Sequence, residues 1–265
     1  MSKTKLIIIF LCAGIVAAAS GLIAMNIMEP KMAGNMISEA DLAFEKIADK
    51  TKKEKASAEK ARREKEEKKL KKDLSALEEK MSLRKDFKDD FVHGDKGKKY
   101  QKYIVLHDTE GGGDADSVIS GWLNQGKKVA AHFVVNKDGT VVQCVPMDKI
   151  AHHAGFGNAG HNEEFDVNDE SRDDKNGTDP IGSEYPDYGM NSYSVGIEMI
   201  HEGSSGEAYP EVQLEAVDNL IAYIDTYYGS KSKIIDHKTW RTGNSDTSAE
   251  FAEYLANYKD HRTHD

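Results

Sequence analysis

Residues 6–28, LIIIFLCAGIVAAASGLIAMNIM, carry no charged side chain over 23 positions. About 20 apolar residues make a helix long enough to cross a ~30 Å hydrocarbon layer. Lys3 and Lys5 precede the run and are expected to stay on the cytoplasmic side. Everything after residue 28 is then expected outside the membrane. A cleaved secretory signal competes with this reading, because Ala17, Ala18 and Ala19 offer the small residues of a cleavage site. The run continues past them to Met28, which favours a retained anchor. The alternatives are thus a single-pass membrane protein with an extracytoplasmic C-terminal part, or a secreted one. The only cysteines are Cys12, inside the apolar run, and Cys144, so a disulfide scaffold and a Cys-rich zinc finger are excluded.

From residue 29 to residue 90 the composition changes abruptly, to 18 Lys/Arg and 16 Asp/Glu. The segment KKEKASAEKARREKEEKKLKKDLSALEEK has no Gly or Pro and is rich in helix formers. Its opposite charges recur three and four residues apart, as on a solvated helix. Leu70, Leu74, Leu77 and Met81 follow a 4-3-4 spacing, a short heptad seam that predicts either a single helical spacer or a parallel coiled-coil homodimer. About 50 helical residues would reach roughly 75 Å. Basic and acidic residues are interleaved, so this block argues against a nucleic-acid partner.

Residues 91–265 hold 16 Lys/Arg against 30 Asp/Glu and are long enough to bury a core. Strands and helices alternate. KYIVLHD (102–108) reads as a strand running into Gly111, Gly112 and Gly113. Residues 115–123 read as a helix, and 130–146 as two strands joined at Asp138-Gly139. SYSVGIEMI (192–200) is a third core strand. Residues 210–228 carry an apolar helical face, 234–237 a short strand end, and 251–258 a closing helix. Between them, 156–190 is a long acidic insertion. Asp166, Asn168 and Asp169 hint at calcium there, but the spacing lacks the glycine and terminal glutamate of an EF-hand, and a solvated specificity loop is the expectation.

Two histidines stand at strand ends, His107 and His237, and Asp246 follows nine residues after the second. Two imidazoles and one carboxylate can hold a tetrahedral Zn²⁺ with one position open to water. Glu198 is a carboxylate among apolar neighbours, where a raised pKa would suit a general base. Taken singly, a histidine after a strand is more often packed, and a glutamate in a strand more often solvated. The spacing alone does not establish a metal site.

The order of motifs says more. HDTEGGG, AHFVVNKDGTVVQCVP, HHAG, SYSVGIEMI and DHKTWRTGNSD follow one another. This run, over about residues 100–255, resembles the type 2 family of zinc-dependent N-acetylmuramoyl-L-alanine amidases, which includes wall amidases and peptidoglycan-recognition proteins. The resemblance implies an α/β fold with a central mixed β-sheet flanked by helices. Here that fold would stand behind a transmembrane helix (1–28) and a helical or coiled-coil stalk (29–90), with the amidase domain over 91–265.

The resemblance further implies Zn²⁺ held by His107, His237 and Asp246. Glu198 would be the catalytic acid and base, and His153 would line the cleft near the lactyl amide. His132 is expected to pack or form cleft wall. The family often has a lysine two positions before the third ligand; here that position is Asn244. The oxyanion would then fall to Arg241 or Asn244. The implied substrate is peptidoglycan, cut between N-acetylmuramic acid and L-alanine of the stem. A non-catalytic peptidoglycan-binding module of the same fold, or a phage-type lysin with a releasable anchor, are the alternatives.

Overall fold

The computed structural model describes residues 30–126, 128–203 and 206–265. The uncharged run at 6–28, and with it the expected anchor, lies outside the described residues. Among the described residues no helix is long and apolar enough to cross a membrane. The described residues fall into two units, divided between Glu67 and Lys68.

Helix α1 (Pro30–Lys80) fills most of the charged segment. Its side chains pair as the spacing implies: Arg62 reaches Glu59 and Glu66, and Arg63 reaches Glu59. All of these groups are exposed, so the pairs add little to stability. The heptad seam is a correction. Met81 is fully buried in the main hydrophobic core of the 68–265 unit, and Leu74 and Leu77 pack against that same core. Glu78 accepts bonds from Lys85 (2.6 Å) and Tyr223 (2.8 Å), which tie the helix end to the unit. Apolar residues at heptad spacing need only a complementary apolar surface, and here the chain supplies it. Of the two alternatives for the Leu70, Leu74, Leu77 and Met81 seam, the coiled-coil homodimer is therefore not supported.

The sheet also begins before residue 91. Strand β1 (Arg84–Lys85) joins β2 (Tyr103–Asp108), β3 (Phe133–Val135), β4 (Val141–Gln143), β5 (Ser194–Met199) and β6 (Lys233–Asp236) in the order β1-β4-β3-β5-β2-β6. Only β3–β4 is antiparallel; the other pairings are parallel. Every residue of β2 is buried, as befits a central strand of a sheet covered on both faces. The Asp138-Gly139 turn forms as expected. Asp138 Oδ1 accepts from the amide and hydroxyl of Thr140 (3.0 and 2.7 Å), and Gly139 takes φ +82°.

Side chains alternate across the strands. Ile104, Leu106, Phe133, Val135, Val195, Ile197 and Met199 face one way, into a core closed by Leu214, Val217, Leu220 and Ile224 of helix α4 (Glu211–Tyr228). The opposite face is split. Helix α2 (Ala115–Asn124), capped reciprocally by Asp114 and Ser117, packs Ala115 and Ile119 on Val134 and Val142. Tyr103, Val105 and Ile235 instead meet Ala154, Val167, Met190 and Trp240. Helices α3 (His161–Glu164), α5 (His237–Trp240) and α6 (Ala252–Asp260) complete the unit. His107 and Glu198 stand between those two packed regions.

The insertion is less solvated than its composition implies. Val167, Tyr188 and Met190 are buried, and the Asp173 side chain is wholly covered. Two of the three residues that hinted at calcium are engaged otherwise: Asp166 pairs with Lys102, and Asp169 caps Ser171.

Candidate active site

Parallel pairing of β2 and β5 sets His107 directly against Glu198. Registered residues on neighbouring strands point to the same face, so the imidazole and the carboxylate share one side of the sheet. His237 begins α5, immediately after β6, whose last residue Asp236 caps that helix by accepting the Thr239 amide (3.1 Å). Asp246 arrives from the loop beyond. Its Oδ1 accepts the Asp108 amide (2.6 Å), and its Oδ2 lies 3.0 Å from His107 Nδ1 and 3.1 Å from His237 Nδ1. The donor atoms of these three residues all fall within 4.8 Å of one another.

Hydrogen bonding sets which nitrogen of each ring is free. Ser194 donates its hydroxyl to the Met190 carbonyl (2.6 Å), so its oxygen accepts from His153 Nε2 (3.0 Å). His153 Nδ1 is then an acceptor, and takes the Nε2–H of His107 (3.1 Å). That leaves a lone pair on His107 Nδ1, facing Asp246. His237 donates its Nε2–H to the Ala154 carbonyl (2.8 Å), which leaves a lone pair on its Nδ1 as well. Two imidazole lone pairs and a carboxylate oxygen therefore meet with no proton of their own between them, and Asn244 Nδ2 donates to the His237 nitrogen (3.2 Å). That arrangement is repulsive unless a cation sits between. A tetrahedron with ~2.0–2.1 Å arms has edges of about 3.3 Å, close to the spacing seen. The donor set fits a Zn²⁺-type ion with a position to spare.

Electrostatics agree with this arrangement. Burial pushes the His107 pKa down, against the opposing pull of Asp246, and keeps the ring neutral. Burial works against ionising Asp246, and positive charge at His107 and His237, which an ion between them would supply instead, holds its carboxyl below the usual range. His153 is driven well below the ordinary histidine value, first by burial and then by His107, His132, His237 and Lys96. Glu198 is pushed well above the usual carboxylate value, first by burial and then by the carboxylates of Asp246, Asp108 and Glu110. It is only half-buried, and it lines a cleft with Thr109, Gly111, Gly112, Val118 and Trp122.

The family model described as N-acetylmuramoyl-L-alanine amidase matches residues 97–249, more than half of the chain. The chain belongs to the N-acetylmuramoyl-L-alanine amidase family. Among curated relatives, the 1,6-anhydro-N-acetylmuramyl-L-alanine amidase AmpD of Salmonella typhimurium is 30% identical over 112 residues. That match takes in 42% of this chain and 44% of the relative, so the chain spans less than half the length of the relative it matches. Among solved structures, the amidase LysC from Clostridium intestinale aligns with TM-score 0.44 and 16% identity, over 66% of this chain and 96% of that one. The catalytic domain of XlyA aligns with TM-score 0.42 and 19% identity, over 67% and 96%.

Within this amidase-family site the remaining sequence-assigned residues are placed unevenly. His153 does not stand free in the cleft, because both ring nitrogens are taken by His107 and Ser194. Its ring lies over Gly196, where a Cβ would come within 2.5 Å of it, so the glycine of SVGIE makes room for the histidine. Asn244 is also engaged. Its Oδ1 accepts the Asp246 amide (3.0 Å) and its Nδ2 lies 3.2 Å from His237 Nδ1, so it shapes the loop that delivers Asp246. Arg241 lies with its guanidinium 5.0 Å from the Tyr185 ring of the insertion. His132 packs, with both nitrogens satisfied by Lys149 and Gly196 backbone.

Sequence reading missed Ser194, Asn191 and Lys96. Asn191 Oδ1 accepts the amides of His153 and Ala154 (both 2.9 Å), and buried Lys96 donates to the Ser194 carbonyl (2.9 Å). Nothing in their local sequence marks them, since the bonds that tie them to the site span 37 to 98 residues. Ser194→Ala removes the acceptor that fixes the His153 tautomer. We expect Zn²⁺ affinity to fall about 10- to 100-fold, the usual weight of an outer-shell partner, with the fold intact. Competition with a chromogenic chelator measures it, and unchanged affinity would show the chain of bonds to be incidental.

Proposed function

We propose that this chain hydrolyses the amide between the lactyl group of N-acetylmuramic acid and the L-alanine of a peptidoglycan stem, with Zn²⁺ as cofactor. The observation that carries the reading is the convergence of three proton-free donors beside a half-buried carboxylate on the same sheet face. His107, His237 and Asp246 would hold the ion, which supplies Lewis acidity and an acidified water when bound. Glu198 takes the proton of the attacking water, and its raised pKa lets it hand that proton to the departing amine. His153 and Ser194 keep His107 in the tautomer that presents Nδ1. His237 is kept in the same tautomer by the Ala154 carbonyl. With Arg241 drawn to Tyr185 and Asn244 engaged in its own loop, the family's usual oxyanion lysine has no obvious replacement, and we expect slower turnover rather than a different reaction.

We further propose that residues 6–28 tether the chain to a membrane with residues 68–265 outside it, where peptidoglycan lies; secretion after cleavage is the alternative. The uncharged run behind Lys3 and Lys5 supports this reading. The test is digestion of purified walls by the full chain, followed by mass spectrometry. Release of stem peptides with a free L-alanine amino terminus is expected. Binding to walls without any such release would favour the non-catalytic module.

A further inference from the structure

A second group of histidines and aspartates lies outside the site described above. His93, His152 and Asp173 are buried, and Asp174 is half-exposed at their edge. Donor atoms of His93, His152 and Asp174 fall within 4.8 Å of one another. Four stretches of chain meet here. The His93 carbonyl accepts the Asp174 amide (2.9 Å), and the His93 amide donates to the Ile150 carbonyl (2.9 Å). The His152 carbonyl accepts the Ala130 amide (3.2 Å). Gly94 has φ +141°, and a Cβ on it would lie 2.0 Å from the Arg172 carbonyl oxygen, so only glycine admits the insertion this closely.

The ring nitrogens can be assigned as before. The Lys128 carbonyl can only accept, so His93 Nε2 (2.8 Å) carries a proton, and His93 Nδ1 faces Asp174 Oδ1 at 2.9 Å. His152 gives its Nε2–H to Asp173 (2.7 Å), a carboxylate-backed imidazole of the kind found behind metal ligands. Its Nδ1 is left buried with no partner, and so is Asp173 Oδ2. An orphaned buried polar atom is costly, and two in one place call for an explanation. A proton added to His93 alone would satisfy Asp174 but leave the His152 nitrogen bare.

We propose that His93, His152 and Asp174 form a second cation site, which takes a divalent ion of the Zn²⁺, Co²⁺ or Ni²⁺ kind and pins residues 172–174 of the insertion to the sheet-bearing unit. Two imidazoles and one carboxylate suit such ions better than Ca²⁺ or Mg²⁺, which prefer all-oxygen shells. Half-exposed Asp174 gives the ion its way in. The two rings lie face to face, with centroids 3.3 Å apart and planes 9° from parallel. Each nitrogen offers its lone pair in its own ring plane, so the shared ion draws the rings out of parallel. Tyr188, edge-on to His152 at 5.2 Å, reports that movement.

Metal content of the full chain, dialysed against buffered free Zn²⁺, tests this. About two ions per chain are expected, one per three-donor site. Asp246→Ala should leave one, and Asp174→Ala should also leave one while amidase activity is unchanged. Asp174→Asn, which keeps size and exposure, should repeat the loss without disturbing the fold. Addition of Zn²⁺ to the Asp246→Ala protein should shift tyrosine fluorescence, and Asp174→Asn should abolish that shift. One ion in the unaltered chain, or a second ion that survives both Asp174 substitutions, would overturn the proposal. Two ions bound by a chain that releases no stem peptides would defeat the catalytic reading and leave this site standing.

Discussion

Glu198→Gln is expected to leave metal content untouched and to cut turnover by roughly 10²–10⁴, the span of general acid–base catalysis. The carboxamide keeps the size of the side chain but cannot take a proton from water. Glu198 sits opposite His107 in the β2–β5 register, so the substitution perturbs neither the strand pairing nor the three-donor cluster. A second signature follows from its raised pKa, which burial and the carboxylates of Asp246, Asp108 and Glu110 produce. The base form is lost as pH falls through that raised value. Wild-type kcat/KM should therefore decline on an acid limb lying above the ordinary glutamate range. The Gln variant should lack that limb. Stem-peptide release followed across pH for both proteins measures it, and near-wild-type activity in the Gln variant would move the base elsewhere.

Asp246→Ala is expected to reduce activity to background by a different route. The change removes the oxygen that faces both Nδ1 atoms and strips the Asp108 amide of its acceptor. One ion per chain should be lost, because two neutral imidazoles without a carboxylate bind divalent ions far more weakly and leave the ion's charge uncompensated. Asp246 sits on a loop, so the core should remain folded by circular dichroism. Full activity with the ion lost would separate hydrolysis from this cluster altogether. Together the two substitutions divide the site: one should lose chemistry and keep the ion, the other should lose both.

Much of this architecture was legible residue by residue. β-branched runs located β2 and β5. Asp138-Gly139 located the hairpin, and the apolar face of 210–228 located α4, whose end at Gly229 takes the left-handed conformation that glycine permits. Those signals are local: a few neighbouring residues and a backbone preference suffice. The seam of Leu74, Leu77 and Met81 was legible too, but its partner was not. Heptad spacing states that a helix has an apolar stripe, and says nothing about whether a second chain or the same chain covers it. The insertion shows the same limit. Its acidic composition suggests water on all sides, yet Asp173 is wholly covered because a histidine 21 residues earlier bonds to it.

The sequence by itself determined the three-part composition of the chain, the strand-and-helix alternation, and the residue types able to hold a divalent ion: His107, His237 and Asp246, with Glu198 as the carboxylate. The composition and the elements follow from charge, periodicity and turn chemistry, while the set of candidate ligands follows from the resemblance that the order of motifs carries. Only the tertiary structure decided how those groups are used. Parallel register placed Glu198 beside His107. A bond network reaching to Ser194 and Ala154 chose the nitrogen each imidazole presents. It also turned His153 from a cleft-lining group into a support, engaged Asn244 in its loop, and drew Arg241 to Tyr185. The physical reason is that a hydrogen bond's direction depends on which atoms meet in space. Partners here are separated by up to 139 residues, a distance over which neighbouring sequence carries no signal.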